Sequence, residues 1–237
     1  MGQQASTPQP GKTIRVIGAG LSRTGTASFS AALEILLNGP VYHGGTQATL
    51  GAPEHIKSWI QIIRLWLSIT PEDQKAMFTL MANRLDGYVA ITDSQAATWE
   101  KSMDRIAGLA TLWFLRGVLL PLPGMRHFVE YIEAMAAQWE RLYGARRPSI
   151  AIYNRHVEWL KEVVPADRLV IFDVKEGWAP LCRALGMEVP QDIPFPRIND
   201  SEAIERAATY HIQRGLGRWA LAGTIAALGV AAFWVRA

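Results

Sequence analysis

Residues 13–37, TIRVIGAGLSRTGTASFSAALEILL, constrain this chain's fold more than any other stretch. Thr13–Ile17 alternates β-branched residues and predicts a buried strand. Gly18–Thr26 is a run of small residues, and from Ala27 onward Phe29, Leu33, Leu36 and Leu37 share one helical stripe. A strand, a glycine-rich loop and a helix N-terminus in that order form an anion cradle. Loop amides point inward, and the helix dipole adds partial positive charge.

Two motifs compete for the loop. The dinucleotide fingerprint G-x-G-x-x-G fails at its third glycine, where Arg23 stands and only a very small residue permits close helix–strand packing. The Walker A pattern has its glycine spacing at Gly20 and Gly25, but Thr26 and Ala27 replace the lysine and the Mg²⁺-binding hydroxyl. What remains is a loop with its cation inside it, at Arg23, and hydroxyls at Ser22, Thr24, Thr26 and Ser28. That set suits a phosphate or sulfonate bound without metal; the plain alternative is a structural glycine turn.

Composition narrows the class. The chain has 237 residues, 49% hydrophobic and 19% charged, enough for one α/β domain with a sizeable core and some additions. A net charge of +3, with scattered basic residues, argues against nucleic acid. The single cysteine, Cys182, excludes an internal disulfide and a cysteine-based zinc site, and its apolar surroundings predict a core residue. No metal site is expected.

The termini carry membrane signals. Met1-Gly2-Gln3-Gln4-Ala5-Ser6 fits a myristoylation pattern at Gly2, or else an ordinary flexible start, and no secretory signal precedes the first strand. Trp219–Val235 contains no charged residue and is bracketed by Arg218 and Arg236. Its 17 residues stand at the short end of the ~17–25 that span a bilayer, with tryptophans where interfacial aromatics belong. A helix packed on the domain would show a polar stripe, and this one is apolar all round. The expectation is a single-pass C-terminal anchor with the domain facing the cytosol. The predicted organisation is a flexible start over 1–12, a domain over 13–200, a connecting helix over 201–217 and the anchor over 218–237.

Between these ends the helical periodicity predicts helices over Glu54–Ile69, Pro71–Arg84, Phe128–Tyr143 and Ile150–Val164, with a buried or membrane-skimming helix in Ala107–Leu122. Strands are expected near Thr13–Ile17, Pro40–Tyr42, Tyr88–Ile91 and Leu169–Asp173, in a three-layer parallel α/β sheet with right-handed crossovers. His43 closes the second strand, where a carboxyl-end residue faces the ligand crevice, and can meet an acceptor hydroxyl as a base. His156 is a second candidate histidine. Lys175, at the carboxyl end of the last expected strand, can face the same ligand.

The segment GLSRTGTASFSAALEILLNGPVYHGG resembles the sulfotransferase-like P-loop family common in fungi, whose members often carry the label of NAD-dependent epimerases. The likeness continues in KEGWAPLC at Lys175–Cys182 and in FPRIND at Phe195–Asp200, and covers roughly Thr13–Asp200. It implies a P-loop NTPase-like parallel sheet flanked by helices. It also implies a loop of Gly20, Ser22, Arg23, Thr24, Gly25 and Thr26 that binds the 5′-phosphosulfate of the sulfuryl donor PAPS. In the family an arginine and a serine of an RDxxxWxxS segment bind the donor's 3′-phosphate. Here Gly87–Asp93 runs straight into Trp99 and Ser102, and Ser94 stands at the arginine's place. Two family segments are collapsed into one, with a helix and a central strand expected to be missing.

Two functions emerge. One is a membrane-anchored, PAPS-dependent sulfotransferase with Arg23 and His43 as catalytic residues and Ser102 on the donor. Its acceptor would be a lipophilic small molecule, in fungal secondary metabolism. The other is a sulfotransferase-like tailoring enzyme, such as a cyclase or dehydratase, or a non-catalytic membrane scaffold, that no longer uses PAPS.

Overall fold

The computed structural model describes residues 4–19, 25–92, 109–146, 150–198 and 200–236. Gly2, Gly20, Ser22, Arg23, Thr24, Ser94, Trp99, Lys101 and Ser102 lie outside that set.

Three short strands, β1 (Val16–Gly18), β2 (Val41–His43) and β3 (Ala90–Thr92), form a parallel sheet in the order β1-β3-β2. The register aligns Val16 and Val41 with Ala90, and Gly18 and His43 with Thr92. The ladder extends upstream through Arg15 N–H donating to Val89 C=O (2.8 Å) and Val89 N–H to Pro40 C=O (2.9 Å). Each strand ends one residue later than its sequence predicts, which carries His43 into the sheet.

Helix α1 (Thr26–Leu37) follows the loop and buries Ala32, Leu33, Leu36 and Leu37 against Val41, Val89 and Ala90. A later helix, Trp178–Leu185, brings Trp178, Leu181 and Cys182 into the same core. Trp178 Nε1 donates to Ile193 C=O (2.7 Å) and its ring meets Phe195 edge-on. On the opposite side Tyr42 and Tyr88, one residue along from Val41 and Val89, turn away from that core in keeping with strand alternation. Helix α2 (Gly44–Leu50) follows β2 directly, and α3 (Pro53–Ser68) and α4 (Pro71–Leu85) form a hairpin over it. The apolar stripe of α3 packs on helix α6 (Phe128–Tyr143), burying Ile56, Ile60 and Ile63 with Tyr131, Ile132 and Met135. The aromatic-rich α3 is therefore core.

The expected fourth strand is not formed. Leu169–Asp173 joins no sheet among the described residues, and Val170 and Ile171 are 56% and 66% exposed. Phe172 turns inward, onto Phe29 and Phe195. A strand needs a neighbour in the sheet plane, and among the described residues β1 has none on its outer edge, where Ile17 is 73% exposed.

The remaining helices are α5 (Leu109–Leu119), α7 (Ile150–Val163), α8 (the Trp178–Leu185 helix above) and α9 (Asp200–Arg236). A second core joins Leu115, Leu119, Leu122, Met125 and Val129 to Ile212 of α9. Helix α9 runs unbroken for 37 residues, about 55 Å, through the expected boundary between connector and tail. Its segment Glu205–Arg236 is long and apolar enough to cross a membrane and none of its apolar window is buried.

Leu33 is fully buried at the centre of the α1–sheet–α8 core. Leu33→Ala is expected to cost about 2–5 kcal/mol, read as a lowered midpoint in chemical denaturation.

Candidate functional site

Parallel strands end together, and the register places Gly18, Thr92 and His43 in one lateral row at the carboxyl edge of the sheet. Such an edge is where open α/β sheets hold ligands. Each member of the row meets α1: Gly18 lies against the Phe29 ring, Thr92 against Ser30 and His43 against Thr26.

Gly25 stands at the N-cap of α1 with φ 79°, a left-handed conformation that costs little only in glycine. A Cβ there would also overlap the Val174 side chain. Two constraints therefore fix this loop residue, one of which the sequence could not give. The first-turn amides of Thr26, Ala27 and Ser28 have no acceptor within the helix. The Ser28 hydroxyl accepts from Ile198 N–H (2.9 Å), joining the FPRIND turn to this helix end. Ser30 donates to Thr26 C=O (2.8 Å) and makes a short hydroxyl contact with fully buried Thr92.

His43 closes β2 and caps α2. Thr46 N–H donates to its Nδ1 (3.3 Å), and the Thr46 hydroxyl lies 2.7 Å from the same nitrogen. Because a backbone N–H is always a donor, Nδ1 accepts and the resting proton sits on Nε2. Nε2 faces the Thr26 hydroxyl at 3.4 Å. Burial pushes the His43 pKa down to about 4, so the ring is neutral across physiological pH. The neighbouring Tyr42 is locked by Trp59 Nε1, which donates to its hydroxyl (2.6 Å), and by His55 Nδ1 at 3.1 Å.

His156 is buried and plays a different part from the one its sequence suggests. Its Nε2 lies 2.8 Å from Ala19 C=O, which can only accept, so Nε2 carries the proton and Nδ1 accepts from the Tyr143 hydroxyl at 2.8 Å. Ala19 is the residue before Gly20. His156 thus clamps the root of the glycine loop from a helix 137 residues away in sequence.

Lys175 does not stand at a strand end. It lies on an exposed single turn, Val174–Glu176, closed by a reciprocal Asp173–Glu176 cap, one residue beyond the Val174 side chain that abuts Gly25. Exposed Arg197, which the sequence reading missed, precedes the Ile198 amide that bonds Ser28. Each cation stands next in sequence to a residue that touches the N-terminal end of α1. Cys182 is buried in the core and burial pushes its thiol up, which is the opposite of nucleophile activation. Among the described residues no cluster of three His, Cys, Asp or Glu residues could hold a metal.

A family model described as a sulfotransferase domain matches residues 15–98 and 89–204. Residues 89–98 fall in both segments. Ava biosynthesis cluster protein M of Aspergillus versicolor is 26% identical over a 218-residue alignment that covers 80% of this chain and 82% of the relative.

Two outcomes test this geometry. Unfolded His43 takes a proton near pH 6.5, whereas the folded ring refuses it until about pH 4. Stability is therefore full above pH 6.5 and falls as pH drops through 6.5 to 4, on the order of 3 kcal/mol at full extent. His43→Gln is expected to flatten that slope in pH-dependent denaturation, with a residue from His55, which burial also pushes down. His156→Phe is expected to cost about 1–3 kcal/mol by orphaning Ala19 C=O and the Tyr143 hydroxyl, and His156→Gln to recover part of it.

Proposed function

The chain belongs to the sulfotransferase domain family, and from that premise we propose that it is a membrane-anchored tailoring transferase that moves a sulfuryl group from PAPS to a hydroxyl of a lipophilic small molecule. The relative's name places that protein in a biosynthesis cluster, which supports a role in fungal secondary metabolism here. The observation that carries the proposal is the carboxyl-edge row, in which neutral His43 faces the first residue of α1.

The donors present fit an anionic ligand. First-turn amides and the hydroxyls of Thr26 and Ser28 gather at one helix end, and Lys175 and Arg197 stand next in sequence to residues that touch it. Gly20, Ser22, Arg23, Thr24, Gly25 and Thr26 would hold the 5′-phosphosulfate and Ser102 the 3′-phosphate. When bound, PAPS supplies an activated sulfuryl group on a phosphate leaving group. Arg23 and the α1 amides would hold the anionic leaving group and stabilise the charge it gathers. To take the acceptor's proton at Nε2, His43 would first leave its resting tautomer, giving up the Thr46 N–H bond and donating instead from Nδ1–H to the Thr46 hydroxyl, which turns from donor to acceptor. A ring of pKa about 4 is neutral across physiological pH and hands on an accepted proton without trapping it. The C-terminal part of α9 is the single-pass anchor, with the domain on the cytosolic side.

A second reading, a family member that does not use PAPS, is favoured by one observation. Residues 89–98 match two family segments at once, and the outer edge of β1 carries no described strand.

Calorimetric titration of the full-length protein with PAP, the desulfated product, tests the first reading. Arg23→Ala is expected to weaken binding by about 1.5–3 kcal/mol, roughly 10- to 150-fold. Unchanged affinity would reduce the loop to a turn. The ratio of PAP to AMP affinity separates the two readings, because Ser94 offers a hydroxyl where the family offers a guanidinium fork. A strong wild-type preference for PAP removes the second reading. No preference, with Ser94→Arg recovering little, removes PAPS as the donor.

A further inference from the structure

Helix α5 has one buried and one exposed face, and the exposed face is apolar. Leu115, Val118 and Leu119 are buried, while Trp113, Phe114 and Leu120 are 69%, 51% and 53% exposed. Trp113 and Gly117 stand one turn apart on the helix, and Leu120 follows in the turn that closes it. Isolated exposed apolar residues need no explanation, but two large aromatics on one short helix with a leucine just beyond its end do.

That face is joined to the base of the tail. Trp219 Nε1 donates to Gly117 C=O (2.9 Å), and Arg218 Nη1 donates to Pro121 C=O (2.6 Å). Gly215 presses backbone to backbone on Val118, so closely that a Cβ would overlap the Val118 carbonyl. Three contacts within five residues of α9 thus fix α5 at the point where the uncharged stretch begins. Arg116 and Arg218 border the patch: Arg116 lies against the Trp113 ring and bonds Glu133, and Arg218 bonds Pro121 C=O. Aromatic and aliphatic residues with arginines around them are what a bilayer interface accommodates.

Length points the same way. The 17 residues Trp219–Val235 rise about 26 Å, less than the roughly 30 Å hydrocarbon thickness. A short span draws its flanking residues down to the interface. Residues fixed to Trp219 go with it.

We propose that the exposed face of α5 at Trp113 and Phe114, with Leu120 in the turn just beyond it, lies in the headgroup layer of the bilayer that α9 crosses, so that the domain is seated on the membrane and not suspended above it by a tether. The proposal rests on α9 being a membrane anchor. Its occupant is the lipid surface: the patch is continuous with the tail's exposed apolar surface and is bonded to it at Gly117 and Pro121.

The test uses the full chain with Cys182→Ala, reconstituted into phosphatidylcholine vesicles with a minority of phosphatidylserine. Single cysteines are introduced by Trp113→Cys, Leu120→Cys, Phe78→Cys or Ile225→Cys and labelled with an environment-sensitive dye. Phe78 on α4 is 64% exposed and serves as the aqueous control; Ile225 reports the tail. The expected result is blue-shifted emission at Trp113 and Leu120, quenched best by nitroxides near the headgroups, with water-like emission at Phe78. Water-like emission at Trp113 and Leu120 while the Ile225 label reports lipid overturns the proposal and leaves the anchor standing. Water-like emission at Ile225 as well overturns the anchor and the proposal together.

Discussion

The site depends on one backbone constraint, the pairing of β3 between β1 and β2. Each strand has only three residues, so little of the sheet's order is redundant. Because both pairings are parallel, the three chains leave the sheet on one side, and the common register brings Gly18, Thr92 and His43 abreast. The glycine loop departs from one end of that row and α2 from the other. Helix α1 runs back along the sheet, so its first turn is held opposite His43 by the same core that buries Leu33 and Leu36. The electrostatics are a consequence of position. A ring wedged between α1 and α2 loses water and becomes a weak base, and its tautomer is chosen by the Thr46 amide.

Much of this was legible in the sequence. The strand–loop–helix order over residues 13–37, the three strands of the sheet, the helical stripes of α3, α4, α6 and α7, and the place of His43 at a strand's carboxyl end all arise from local pattern. Local pattern fixes periodicity and punctuation. What it cannot fix is whether a partner is present. RLVIFDV at 168–174 has the composition of a buried strand, yet Val170 and Ile171 face solvent because pairing is a property of two segments. The clamp of His156 on Ala19 escaped for the same reason. A histidine on an amphipathic helix gives no hint that a carbonyl 137 residues away will occupy one ring nitrogen and a tyrosine the other. Arg197 was hidden by the motif around it, since a turn signature draws attention to its proline and aspartate and not to the cation between them.

Two of the histidines illustrate how one residue type is put to two uses by its acceptors. His156 faces a carbonyl and a hydroxyl, and both its nitrogens are engaged at 2.8 Å. His43 has one nitrogen held by Thr46 and the other at 3.4 Å from Thr26, a long contact that a ligand hydroxyl can replace. The proposed division of labour, His156 for the loop's position and His43 for the proton, rests on these distances and not on the sequence context of either residue.

The packing also sets the height of the site above the proposed membrane. Helix α5 is bonded to the base of the tail, and the turn at Met125–His127 and α6 pack on α5. Helix α6 packs on α3, whose His55 and Trp59 hold the Tyr42 hydroxyl, and Tyr42 is followed directly by His43. Each step is a contact between buried surfaces or a hydrogen bond, with no long connection between them. Protein interiors packed to this degree deform little. A domain seated through α5 would therefore hold His43 at a fixed distance from the bilayer, which suits an acceptor that partitions into lipid and has to present one hydroxyl outside it. A tether would leave that distance to chance, and a lipophilic substrate would have to leave the membrane entirely before meeting the base.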